Sequence, residues 1–85
     1  MNLTEHFCEE YLTKIFYFCL KKTGNEADAG DLSGIISLEI LNSLSRGTKV
    51  NNFNAWVWSI ARNCYAKWAI EKFYSYDSDL IKIYL

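Results

Sequence analysis

The chain has no proline, four scattered glycines and no two cysteines at metal-ligand or redox spacing. Without proline nothing forbids long helices, and without a clustered glycine run there is no backbone cradle for a nucleotide phosphate. The cysteines, Cys8, Cys19 and Cys64, are odd in number and form no CxxC pair, which argues against a disulfide framework. On one helix, Cys8 and Cys19 would sit ~16 Å apart, beyond bonding reach. All three are therefore expected as small buried hydrophobes. The single histidine, His6, has no cysteine at ligand spacing and reads as a solvated surface residue. Glu9 and Glu10 are neighbours in sequence, so they point about 100° apart on a helix and make no catalytic pair. No catalytic, metal or cofactor site follows from these residues, and no small-molecule substrate is implied. A signal peptide and a membrane-spanning run are missing too, because the apolar stretch 15–20 is short and leads into Lys21 and Lys22. The compartment expected is the cytoplasm. Charge of one sign is also lacking: nine basic against ten acidic residues leave −1, so any grip on nucleic acid must be local.

What is abundant is apolar surface. Of the 85 residues, 51% are hydrophobic and 16% aromatic. A chain of this length buries only ~60% of its unfolded surface, so it needs those large side chains to form one core. A first helix is expected after Asn2 or Thr4, with Asn2 and Glu5 spaced as a capping box, burying Phe7, Tyr11, Leu12, Ile15, Phe18 and Cys19. Gly24 ends it. Asn25 or Asp28 caps a second helix to about Ser45, with Ala29, Leu32, Ile35, Ile36, Ile40, Leu41 and Leu44 at helical spacing, and Gly47 marks its end. Residues 46–52, RGTKVNN, lack periodicity and form a loop. Asn51 or Asn52 then caps a third helix to about Tyr74, and the tail YSYDSDLIKIYL is a short fourth helix or a linker remnant. The fold expected is all-α, a small orthogonal bundle of three main helices.

The third helix is the most informative part. In FNAWVWSIARNCYAKW, residues 53–68, apolar side chains at Phe53, Trp56, Val57, Ile60, Ala61, Cys64, Tyr65 and Trp68 trace one helical stripe. The other side holds Asn54, Trp58, Ser59, Arg62, Asn63, Ala66 and Lys67, and a tryptophan beside Arg and Asn suits stacking on bases and holding phosphates. Trp58 lies off the main stripe, so it either packs against the second helix or stays exposed. Trp56 sits at the stripe's edge and reads equally as core or as a contact. Arg62 has a plain alternative in pairing with Asp31 or Glu39, and Asn63 one in capping or bridging helices.

This segment resembles the centre of region 2 of bacterial sigma factors of the extracytoplasmic-function type. Their pattern of an aromatic, Ala-Trp-Leu and Ile-Ala-Arg-Asn stands here as Phe53, Ala55, Trp56, Val57, Ile60, Ala61, Arg62 and Asn63. A second family block, Asp-Ala-Glu-Asp-Leu-Val-Gln-Glu-Val-Phe, is present in altered form from Asp28 to Ser37. The likeness spans about residues 11–72, with the whole chain taken as one such domain and the family's carboxy-terminal promoter-binding domain absent. It implies that the 46–52 loop cradles a base turned out of the promoter minus-ten element and that the following helix holds its phosphates. Carried over by position, the DNA contacts are Arg46, Lys49, Asn51, Asn52, Trp56, Arg62, Asn63 and Lys67. The second helix would dock on the paired clamp helices of the largest subunit of core RNA polymerase, through Asp31, Leu32, Ile35, Glu39 and Asn42. An anti-sigma factor is a further implied partner.

Some departures thin this pattern. Gly34 and Ile35 replace the usual Gln and Glu, Ser37 replaces Phe, and Lys67 and Ile70 stand at the family's Asp and Arg. The leading expectation is a non-catalytic domain that gives an enzyme its promoter specificity. One rival is a sigma-like interaction module that has lost DNA recognition; another is a helical dimerisation domain with an accidental likeness.

Overall fold

A computed structural model describes the backbone of residues 2–76 and the side chains of residues 2–72. Four helices follow one another with no strand among the described residues: α1 (Leu3–Glu10), α2 (Leu12–Thr23), α3 (Glu26–Ser45) and α4 (Phe53–Tyr76). Helix α4 runs to Tyr76, two residues beyond the expected end at Tyr74 and into the tail, whose remainder from 77 on lies outside the described residues.

Local chemistry sets most of the ends. Asn2 Oδ1 accepts from the Glu5 amide at 2.9 Å, and Asn25 Oδ1 accepts from the Asp28 amide at 2.8 Å, so each asparagine satisfies an amide its helix leaves unpaired. Gly24 closes α2 with φ 78°, a left-handed conformation that glycine adopts without strain. At the end of α3, Gly47 (φ 80°) donates to the Leu44 carbonyl and Thr48 to the Ser43 carbonyl, the paired bonds of a Schellman motif. Asn52 then opens α4 by accepting from the Ala55 amide at 3.1 Å.

The expected first helix is broken at Tyr11 into α1 and α2, although the Tyr11 amide still bonds to Phe7 and its carbonyl to Ile15. Phe7, Tyr11, Ile15 and Cys19 are spaced by four, and such a row drifts about 40° per step around a straight helix. The break keeps all four buried. Leu12 falls off that row and is 41% exposed rather than core.

The core joins this row to Ala29, Leu32, Ile36 and Ile40 of α3 and to Val57 and Ala61 of α4. Helix α3 is thus the central element. It runs opposite to α4: Asp28 near its start binds Lys72, while Asn42 near its end faces Ile60 across a groove. Ile35, expected in the apolar row of α3, is instead 48% exposed. Of the cysteines expected inside, only Cys19 is buried; Cys8 is exposed and Cys64 half-buried. No helix of the described residues is long and apolar enough to cross a membrane.

Candidate functional site

Helix α4 begins in a cluster of rings. Phe53 packs against His6 at 5.3 Å between centroids, against Tyr11 at 5.5 Å and against Trp56 at 5.8 Å. His6, expected in solvent, is therefore half-buried beside aromatic faces. Trp56 is half-buried, packed against the core and partly open to solvent. The Tyr11 hydroxyl donates to Asn54 Oδ1 at 2.9 Å and ties the start of α4 to the α1–α2 break.

Trp58 is half-buried rather than exposed and packs against the core. Its ring partners are Phe18 (5.6 Å) on α2 and Tyr11 (6.4 Å), the residue that opens α2. Tyr65, two turns further on, meets Phe18 at 6.4 Å. These rings close the seam between α2 and α4.

The eight residues carried over as DNA contacts do not form one surface. Arg46, Lys49, Asn51 and Asn52 lie together, exposed, in the loop. Two of them are engaged locally: Arg46 donates to Ser43 Oγ at 3.1 Å and Asn52 caps α4. Arg62 is exposed and makes no ion pair or side-chain hydrogen bond among the described residues, so pairing with Asp31 or Glu39 does not occur. It shares the seam-facing row with Trp58 and Tyr65, at four and three residues' spacing. Lys67 is about 140° around the helix from Arg62. With Asn63 it lines a groove of about 460 Å³ between α3 and α4, opposite Ile35, Leu38, Glu39 and Asn42. Asn63 makes no cap or helix-bridging hydrogen bond there.

The residues assigned to polymerase are also sorted. Asp31, Ile35, Glu39 and Asn42 are exposed along one edge of α3. Leu32 is fully buried in the core and cannot touch a partner, which corrects its place in that set. Leu38, which the sequence reading passed over, is 61% exposed on the same edge. Its spacing from Ile35 and Asn42, three and four residues, was the available signal. Cys64 and Trp68 complete the groove from α4. Burial pushes the Cys64 thiol up, Glu39 across the groove pushes it the same way, and Lys67 pulls it back. Among the described residues no group of His, Cys, Asp and Glu is arranged to hold a metal ion.

A family model described as sigma-70 region 2 matches residues 7–69, which include both motif blocks, the loop and the exposed α3 edge. Comparison with curated proteins and with solved structures returned no match. The matched span covers well over half of the chain and includes all of α2 and α3 and most of α4, so the chain belongs to the sigma-70 region 2 family, the non-catalytic domain of sigma factors that serves promoter recognition and binding of core RNA polymerase.

Proposed function

We propose that this domain docks on the clamp helices of the largest polymerase subunit through the exposed edge of α3, and that the 46–52 loop with the start of α4 holds a turned-out base and adjacent phosphates of the minus-ten element. The observation that carries the docking half is the pairing of Ile35 (48% exposed) and Leu38 (61% exposed) with Asp31, Glu39 and Asn42 on a helix whose opposite face is buried. Two large aliphatic side chains left in water beside acidic neighbours are what a protein partner covers at a gain of ~25 cal/mol per Å². Placement in the extracytoplasmic-function branch rests on the pattern from Phe53 to Asn63. For the strand, the loop offers the exposed Lys49, with Trp56 at the edge of the ring cluster beyond it.

Asp31→Lys reverses charge on the edge without touching the core. We expect it to weaken capture by immobilised clamp helices at least about 10-fold, a change of ~1.4 kcal/mol, while far-ultraviolet circular dichroism stays as in the parent. Capture equal to the parent's would remove this edge from the interface.

A second reading keeps the protein contact and drops the DNA contact. It is favoured by the position of Asn63 and Lys67 in the groove beside Glu39, away from Arg62. Absence of any binding to a minus-ten single strand, with polymerase capture intact, would select it.

A further inference from the structure

The small net charge conceals a sorting by element. Helix α2 carries Lys14, Lys21 and Lys22 and no carboxylate; α3 carries Glu26, Asp28, Asp31 and Glu39 and no cation. Helix α1 is acidic through Glu5, Glu9 and Glu10, while α4 holds Arg62, Lys67 and Lys72 against Glu71. Two of the α2 cations, Lys14 and Lys22, lie against the aromatic seam, and Lys21, three residues after Phe18, shares that side of the helix by spacing. Lys14 Nζ lies 5.5 Å from the Tyr11 ring centre, and Lys22 Nζ lies 5.9 Å from that of Phe18 and 5.6 Å from that of Tyr65. Arg62 borders the same seam from α4, one turn from both Trp58 and Tyr65.

We infer that the α2–α4 seam is a track for the backbone of single-stranded nucleic acid leaving the 46–52 loop. The inference rests on the reading of the chain as one that binds the promoter strand. Three observations support it. Lys14, Lys21, Lys22 and Arg62 have no carboxylate partner among the described residues, whereas Lys72 is paired with Asp28. A cation that served the fold would be held in that way; the helix dipole accounts for Lys21 and Lys22 at the end of α2 but not for Lys14 or Arg62. Ring faces hold Lys14 and Lys22 in place, which lowers the ordering cost of meeting a phosphate. The seam is also continuous with the loop, since Tyr11 touches Phe53 and bonds to Asn54 at the start of α4. From Asn54 to Tyr65 it extends ~16 Å along α4. The acidic edge of α3 offers phosphates no comparable path.

The test is titration of the chain with a fluorescently labelled single strand containing a minus-ten sequence, repeated across salt concentrations. Each phosphate contact on a single strand contributes ~0.7 to the slope of log affinity against log salt. Arg46, Lys49 and Arg62 alone give about −2, and the three α2 lysines bring it to about −4. The combined variant K14Q/K21Q/K22Q should return the slope to about −2 and weaken binding roughly 100-fold at 0.1 M salt. K14R/K21R/K22R should retain the parent's slope, which separates charge from any effect on folding.

A parent slope near −2 that the glutamine variant leaves unchanged overturns the seam while leaving the loop reading intact. Failure of the arginine variant to preserve binding overturns it as well. If the strand does not bind at all, both readings fall. If a polyglutamate peptide binds through the three lysines while the strand does not, the seam serves an acidic protein and the inference is wrong.

Discussion

At the scale of single residues, the two tryptophans at the start of α4 divide the labour. Trp58 bridges Phe18 and Tyr11 across the seam, whereas Trp56 meets Phe53 within its own helix. Removing a fully buried aromatic costs ~3–5 kcal/mol, and both are half-buried. We expect Trp58→Ala to lower unfolding free energy by about 2–3 kcal/mol and Trp56→Ala by about 1–2 kcal/mol, read from urea melts. Equal losses would mean that the seam contributes no more than the ring cluster. Periodicity announces that Trp58 stands off the main stripe, but which helix lies opposite is a tertiary fact that spacing does not contain. Leu32 shows the same limit. Its spacing marks a core position, its place in the motif block suggests contact with polymerase, and only packing decides that it is fully buried. Cys8 could not be separated from Cys19 by residue type, because burial follows the side of the helix and not the thiol.

At the scale of elements, helix existence and most ends were legible because asparagine and glycine announce them through hydrogen bonds to nearby backbone. Asn2, Asn25, Gly24, Gly47 and Asn52 all act at or next to the ends expected of them. The break at Tyr11 left no such signal; it arises from the need to keep a row spaced by four against α3. Gly34 is the element-level oddity. It lies in the interior of α3 with negative φ, is exposed, and a Cβ added there would meet nothing within 4 Å. Gly34→Ala should therefore stabilise the domain by about 0.5–1 kcal/mol. For a domain of this size that raises the melting temperature by about 2–8 °C. An unchanged or lower melting temperature would show that α3 is not continuous through this position in solution.

At the scale of the whole molecule, the far ends of α3 and α4 are fastened by the Lys72–Asp28 ion pair, with Lys72 also 4.9 Å above the Trp68 ring centre. The hydrogen bond from Lys72, helped by one from Asn25, holds the Asp28 carboxyl below its ordinary 3.8. A carboxylate depressed in the folded state stabilises it above the unfolded value, and that stabilisation is lost as pH falls through the folded one. The melting temperature should thus be insensitive to this pair above about pH 5 and decline below about pH 4, and Asp28→Asn should abolish that part of the decline. A parent and variant with parallel acid profiles would show the pair to be energetically silent. The sorting of charge that sets α2 against α3 was written in the sequence, yet a summed charge of −1 hid it. The Schellman turn at Gly47 ends α3 using its own backbone, and Asn52 starts α4 with its own side chain. Neither device draws on Thr48 to Asn51 beyond the single amide of Thr48. The intervening segment is therefore an exchangeable cassette: residues 49–51 can be replaced, or lengthened at ~0.6 kcal/mol per doubling of the loop, while both helices keep their ends. The segment proposed to meet the strand can thus change by grafting and insertion with the bundle left as it is.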